Sequence, residues 1–163
     1  MAFLVVSPKR VPFLRKTREA IKAGTGVDVE VSSDGSVSFA GEPDKAWAAE
    51  QVCRAIGYGF QPRQALKLLG DDYYLDVIHL KDVYSRKAKK VKRYKARVIG
   101  SGGKVKNNLQ ELSGAWVSIY EDDVALLGKF EDLQTAKAAV YKILEGAEHS
   151  TVYAFLERLQ NYR

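Results

Sequence analysis

The strongest constraint on the fold of this chain is an internal repeat. In each of two copies, apolar residues at helical spacing are followed by a glycine and then by an alternating segment typical of a strand. Two copies of one structural unit are therefore expected within the 163 residues. A shift of 88 positions superimposes Ile21 on Leu109, Gly26 on Gly114, Val29 on Val117 and Val31 on Ile119.

The apolar pattern and the turn residues divide the first copy into short elements. Pro43 suits the first position of a helix, and Gly57 suits its C-terminal stop. The predicted elements are strand Phe3–Val6, helical segment Lys9–Ala23, strand Val27–Ser32, a turn at Asp34–Gly35, strand Val37–Ala40 and helix Pro43–Ile56.

The second copy shows the same succession with a glycine turn between two helices. Strands and helices thus follow the order βααββα in each copy, which predicts an α+β protein. The predicted elements are strand Tyr73–Leu80, helix Arg86–Ile99, the glycine turn, helix Lys104–Leu112, strand Trp116–Tyr120, a turn at Asp122–Asp123, strand Val124–Leu127 and helix Leu133–Glu145.

A short segment, Gln61–Leu69, joins the two copies and is expected to form a connecting helix with Pro62 near its start. It is too apolar to be a flexible linker, so we expect the two units to pack together. The expected domains are residues 1–70, the first unit with this helix, and residues 71–163, the second unit with a C-terminal helix.

The glycine turn of the second copy is Gly100-Ser101-Gly102-Gly103. A G-x-x-G turn between two helices exposes backbone N–H groups at a helix N-terminus, where phosphate oxygens are readily received. The next helix begins with basic and polar residues instead of acids, which favours an anion-facing N-terminus. This arrangement resembles the RNA-contacting element of a KH domain.

Positive charge is concentrated directly before this turn. Nine Lys or Arg and one acid, Asp82, lie between Lys81 and Arg97, a balance of +8 in a chain of net charge +6. A charge run alone is often a solvated helix face, but beside a phosphate-receiving turn it indicates a track for a polyanion. The residues of this basic track are Arg86, Lys87, Lys89, Lys90, Lys92 and Arg93.

RNA contacts in the second unit are expected from the turn and the residues around it. Because Ser101 and Gly102 are not basic, neighbouring cations would have to supply the charge. Apolar residues beside the turn and on the following strand are candidates for a platform under the bases. The expected RNA-binding residues are Lys95, Arg97, Val98, Ile99, Gly100, Ser101, Gly102, Gly103, Lys104, Lys106, Asn107, Val117 and Ile119.

The first unit departs from this pattern. On the same shift, Gly100 and Gly103 fall on Pro12 and Arg15. Proline has no N–H donor, and neither residue readily adopts a positive φ, so this loop cannot receive phosphate in the same way. We expect the first unit not to clamp RNA and to use exposed residues for contact with a protein or with the second unit. These residues are Phe13, Leu14 and Arg15.

Several strings outside the glycine turn carry a more specific resemblance. They are Arg54–Phe60 with Gln61–Pro62, Leu75–Ile78, Leu80–Asp82, Arg97–Gly100 with Gly103–Lys104, and the tail His149–Tyr153. They resemble the partner-of-Nob-one family of tandem-KH ribosome-biogenesis proteins, in particular its archaeal members. Because the extra strand and helix follow the core that KH units share, the topology indicates type I. The resemblance implies a factor that binds small-subunit ribosomal RNA near its three-prime end, where the Nob-one endonuclease makes the final cut.

Other classes of protein are disfavoured. No apolar run approaches the roughly 20 residues of a bilayer span, and Cys53 lies among apolar positions, which favours an intracellular, cytoplasmic protein. His79 and His149 are far apart and have no cysteine partners, so neither a metal nor another cofactor is expected. Asp71–Asp72 and Glu121–Asp123 lie at strand boundaries as turn formers without an evident base or nucleophile, so no catalysis is expected.

The expected function is binding of single-stranded ribosomal RNA during small-subunit assembly. Candidate protein partners are the Nob-one endonuclease and a translation initiation factor. One alternative is an adaptor that mainly holds one of these proteins, and another is a general tandem-KH messenger-RNA binder. An RNA clamp should weaken steeply with salt, whereas an apolar docking surface should not.

Overall fold

The structure is a computed structural model that describes residues 2–162. The chain forms two compact units, and the boundary between them, at Leu75 and Asp76, falls inside the first strand of the second sheet. Each unit has a three-stranded sheet and its own helices, as the sequence repeat predicts.

The elements of the first unit lie close to their predicted bounds. Pro43 begins a helix and Gly57 ends it, and the predicted connecting helix is confirmed with Pro62 at its start. The elements are β1 (Ala2–Val5), α1 (Val11–Thr25), β2 (Asp28–Val31), β3 (Ser36–Ala40), α2 (Pro43–Gly57) and α3 (Pro62–Ala65), with 3₁₀ turns at Pro8–Arg10 and Leu66–Leu69.

In the second unit, the helix predicted from Arg86 begins instead at Ala88. Ser85 and Arg86 have φ of 51° and 61°, a left-handed conformation that a helix does not accommodate. The elements are β4 (Tyr73–His79), α4 (Leu80–Val83), α5 (Ala88–Ile99), α6 (Lys104–Ser113), β5 (Trp116–Tyr120), β6 (Asp123–Lys129), α7 (Phe130–Leu144) and α8 (His149–Gln160), with a 3₁₀ turn at Ser101–Gly103.

The two sheets have the same topology, with the last strand in sequence placed in the middle. The orders are β1-β3-β2 and β4-β6-β5, and the pairs β1–β3, β2–β3 and β5–β6 are antiparallel. In the second unit, Val117 and Leu126 on the strands share one buried core with Val98, Leu109 and Ile143 on the helices. The predicted α+β fold with two similar units is confirmed.

The structure changes the interpretation of the first unit's missing glycine turn. Pro12 and Arg15 lie inside α1, which is one continuous helix from Val11. Proline is tolerated there because its missing N–H falls among the first-turn donors that have no helical partner. The first of the two expected helices is shortened to the 3₁₀ turn Pro8–Arg10.

The prediction that Leu14 is exposed for a protein contact is wrong. Leu14 is 1% exposed and lies two helical turns from Ile21, which is also buried in the core. Phe13 is 36% exposed, and the guanidinium carbon of Arg10 lies 4.1 Å from the centre of its ring. Of the three residues expected to contact protein, Phe13 and Arg15 remain accessible.

Cys53 lies on α2 without exposed surface, in agreement with its place among apolar positions of the sequence. Burial raises the pKa of its thiol to about 12, so the thiol is protonated at neutral pH. Within residues 2–162, no helix is both long and apolar enough to cross a membrane. In the same part of the chain, no group of three or more His, Cys, Asp or Glu side chains is arranged to hold a metal ion.

Leu14→Ala should lower the free energy of unfolding by about 3 kcal/mol, because it removes buried side-chain atoms and leaves a cavity. The neighbouring control Phe13→Ala should cost about 1 kcal/mol, because its ring is partly solvated and mainly loses contact with a guanidinium. Chemical denaturation followed by circular dichroism measures both values. Equal losses would contradict the assignment of Leu14 alone to the core.

Candidate nucleic-acid interface

An open groove of about 710 Å³ runs along α5 in the second unit. The helix supplies six of its lining residues, and the other three come from α4, the loop after α4 and the turn between β5 and β6. Four lining residues are basic, four are apolar and one is acidic, so the groove has a net positive charge. The lining residues are Lys81, Arg86, Ala88, Val91, Lys92, Lys95, Ala96, Ile99 and Asp122.

Helical periodicity explains why α5 presents these residues together. Ala88, Lys92, Lys95 and Ile99 recur at intervals of three or four positions and therefore lie on one face. The aliphatic stems of the lysines extend the apolar surface while their ammonium groups stay solvated. Such a face suits a nucleic-acid strand, because bases need apolar contact and phosphates need cations.

The structure divides the predicted basic track into two sets. Arg86 and Lys92 line the groove, as does the predicted contact residue Lys95. The other residues of the track are exposed and lie outside the groove, on the loop before α5 or on other faces of the helix. These outer residues are Lys87, Lys89, Lys90 and Arg93.

Sequence reasoning missed five of the lining residues. The helical spacing of Ala88 and Ala96 to Lys92 and Ile99 could have found two of them. The positions contributed by α4 and by the β5–β6 turn had no such signal, because only tertiary folding brings them to α5. The missed residues are Lys81, Ala88, Val91, Ala96 and Asp122.

The glycine loop begins directly after Ile99, where α5 ends. Gly100 has φ +75°, and a Cβ added there would lie 2.4 Å from Cγ2 of Val105, so only glycine fits. Gly102 and Gly103 have φ of +59° and +79°, and a Cβ at either would meet no atom of the described structure within 4 Å. Backbone conformation alone therefore favours glycine at these two positions.

Two N–H groups, one at the end of the loop and one at the start of α6, donate back to carbonyls of the loop. The N–H of Gly103 donates to the carbonyl of Gly100 at 3.2 Å, and that of Lys104 donates to the carbonyl of Ser101. A phosphate must therefore approach the exposed tip, formed by Ser101 and Gly102. The first turn of α6 contains no acidic residue, so no carboxylate neutralises the positive end of the helix dipole there. The polar side chains of that turn are Lys104, Lys106 and Asn107.

Arg97 serves the interior of the unit, which corrects its assignment as a phosphate contact. Its guanidinium donates to the carbonyls of Ile143 at 2.9 Å and Ala147 at 2.6 Å, at and beyond the end of α7. Nearby, the Tyr84 hydroxyl donates to the carbonyl of Leu144 at 2.7 Å, and burial raises its pKa to about 12, which keeps it a donor. These side-chain donors bond carbonyls at the C-terminal end of α7, where a helix exposes its last acceptors.

The first unit contains the same two-pronged contact. Arg10 donates to the carbonyls of Ile56 at 2.7 Å and Phe60 at 2.9 Å. Arg97 and its two acceptors lie 87 positions after Arg10 and its two acceptors. Leu109, however, lies 88 positions after Ile21. The second unit therefore has one additional residue between its arginine and the following helix, in the stretch that forms the glycine loop.

Two residues expected under the bases belong to the core instead. Val98 and Val117 are 0% and 2% exposed, because the helix and strand that carry them turn these side chains inward. Ile119 packs against the same core and is half-buried. Ile99 is half-buried and lines the groove, so it is the apolar residue of the four that a base can reach.

The groove, the glycine loop and the βααββα order together define the second unit as a KH domain of type I, a class that binds single-stranded nucleic acid. Comparison with known families agrees, because residues 74–161 match the family model of the second KH domain of PNO1, described as a eukaryotic-type (type I) KH domain. The chain belongs to this PNO1 family, which confirms the resemblance to partner of Nob-one.

Relatives and solved structures resemble the chain over much of its length. A KH domain-containing protein of Methanocaldococcus jannaschii is 42% identical over 86% of this chain and 64% of its own length. The pre-rRNA-processing protein pno1 of Schizosaccharomyces pombe is 32% identical over 63% of this chain and 43% of its own. The chain thus covers less than two thirds of either relative. A chain of an a/eIF2alpha–aDim2p–rRNA complex from Pyrococcus horikoshii has a TM-score of 0.88 and 30% identity, covering 99% of this chain and 94% of that one.

Arg97→Gln should lower the free energy of unfolding by about 2 kcal/mol, because two carbonyls at the end of α7 lose their charged donor. Lys92→Gln, on the same helix, should change it by less than about 0.5 kcal/mol, because its side chain is exposed. Urea denaturation measures both. If Arg97→Gln is as stable as Lys92→Gln, the arginine does not hold the end of α7 and is free to bind a phosphate.

Proposed function

We propose that this chain binds single-stranded ribosomal RNA as an assembly factor of the small ribosomal subunit. Two neighbouring features carry the proposal: the groove with an apolar floor on α5 and four cations, and the exposed loop tip that follows Ile99 in the chain. A bound strand can pack its bases on the floor and place its phosphates against the lysines and the loop backbone.

The relatives support ribosomal RNA as the ligand. The S. pombe relative is named a pre-rRNA-processing protein, and the P. horikoshii complex contains rRNA together with a/eIF2alpha. The proposed binding region is near the three-prime end of small-subunit ribosomal RNA, where the chain would aid endonucleolytic maturation. The proposed protein partners are the Nob-one endonuclease and an initiation factor. The chain itself is proposed to be cytoplasmic and without catalytic activity.

The first unit is proposed not to clamp RNA. The described backbone from Pro8 to Thr25 contains no residue with positive φ, so it offers no glycine loop to a phosphate. Phe13 and Arg15 remain the candidates for a protein contact on this unit.

An adaptor role is the second candidate function, because the P. horikoshii structure holds an initiation factor beside aDim2p. In that case RNA binding would be secondary to protein capture. A main contact made by an apolar protein surface would change little with salt, whereas an RNA clamp would weaken steeply.

Replacing Ser101 and Gly102 with Asp places two carboxylates at the loop tip and should weaken RNA binding at least tenfold, about 1.4 kcal/mol. Asn at both positions is the matched control, because it has the same shape and also tolerates the positive φ of Gly102, but carries no charge. Filter-binding titrations at one salt concentration compare the two. Equal affinities would remove the loop as the phosphate site.

Replacing the groove residues Lys92 and Lys95 with Gln should make the slope of log affinity against log salt concentration less negative by about 1.4. Each phosphate contact with a single strand contributes about 0.7 to that slope. Lys89→Gln with Lys90→Gln is the matched control, because it removes the same charge from the same helix outside the groove. Titrations at four salt concentrations give the slopes. Equal flattening in both variants would mean that the helix acts as a diffuse charge and not through the groove.

A further inference from the structure

The groove contains one carboxylate among four cations. Lys92, Lys95 and the apolar floor come from α5, Lys81 and Arg86 come from α4 and the loop after it, and the carboxylate is Asp122 of the β5–β6 turn. Its Oδ2 lies 3.6 Å from Nζ of Lys81, and its Oδ1 lies 3.7 Å from Nζ of Lys95. Both ion pairs are longer than a hydrogen bond, so they hold the carboxylate at the groove without a short direct bond.

The backbone fixes the position of this carboxylate. The carbonyl of Asp122 accepts from the N–H of Leu80 at 3.0 Å, which ties the turn to the start of α4. The neighbouring acids are placed differently: Asp123 lies 2.8 Å from Nδ1 of His79, and Glu121 is exposed. Neither of them lines the groove, so Asp122 is the acid of this turn that a ligand in the groove meets.

A single RNA strand has two unlike edges. Its phosphates are attracted to the cations of the groove and repelled by a carboxylate, so its backbone should lie against the basic side chains. A base packed on the apolar floor can then turn its edge toward Asp122, which lies beside Lys81 and Lys95. An ionised carboxylate only accepts hydrogen bonds, so it pairs with the exocyclic amino groups of cytosine, adenine and guanine. The exocyclic groups of uracil are carbonyls, which a carboxylate repels.

We propose that Asp122 determines the base specificity of the groove by accepting a hydrogen bond from the amino group of a bound base, with cytosine favoured over uracil. This inference rests on the proposed function, because it needs RNA in the same groove. It adds a residue that selects among bases to a surface whose other side chains contact phosphate or provide apolar support.

The test compares the affinities of oligocytidylate and oligouridylate of equal length for the whole chain, by fluorescence anisotropy at neutral pH. The unchanged protein should prefer oligocytidylate about tenfold. Asp122→Asn should bring the ratio close to one, because an amide can also donate to a uracil carbonyl. Glu121→Gln, which removes the same charge one residue away, should keep the preference.

A second probe separates this contact from the different stacking of the two bases. Replacing each cytosine by 2-pyrimidinone removes the amino group without adding bulk. The unchanged protein should lose about tenfold in affinity for this oligomer, and Asp122→Asn should lose little. The result with the unchanged protein does not depend on the folding of any variant.

Each remaining outcome contradicts the inference. A cytosine preference that survives in Asp122→Asn removes the specificity role but leaves RNA binding in this groove intact. If Asp122→Asn raises the affinities for both oligomers by the same factor, Asp122 acts through its charge alone. An unchanged protein that binds neither oligomer overturns the proposed function, and the specificity role falls with it.

Discussion

The guanidinium of Arg97 is the contact on which the groove depends. It joins the end of α5 to the carbonyls of Ile143 and Ala147 at and beyond the end of α7. Its planar group offers several fixed donors, so one side chain can bond two carbonyls at once. Ile99 and Gly100 come soon after it in the chain, so this contact anchors the end of α5 from which the loop departs.

The two units share this arginine contact but differ in the chain segment beyond it. After Arg10 the chain continues into the helix α1, with Pro12 and Leu14 on its first turn. After Arg97 an additional residue and three glycines with positive φ break the helical path and expose the loop tip. Thus both units retain the arginine contact, while the glycine loop suited to phosphate follows it in the second unit.

The charge of the basic track acts at two ranges. Lysines on the groove face of α5 can meet a phosphate directly, and their contribution to affinity depends on position. The outer cations are solvated and are screened within about 8 Å at physiological salt, so they mainly attract a polyanion toward the unit. Asp122 reduces the positive charge of the groove locally, because it lies beside Lys81 and Lys95.

The sequence by itself determined the features that depend on neighbouring residues. The repeat, the bounds of β5, the starts of α6 and of α2 at Pro43, and the glycine loop all result from local spacing and turn chemistry. Helical spacing also made Lys92 and Lys95 identifiable as part of a cationic surface.

Only the tertiary structure decided which side chains reach a ligand. Arg97 and Val98 stand beside the loop in sequence, yet one binds carbonyls about 46 residues away and the other is buried in the core. Leu14 is buried by a continuous helix, and Asp122 reaches the groove because a strand turn folds against α4 and α5. The physical reason is that exposure, ion pairing and groove position depend on partners distant in the chain, which local spacing does not encode.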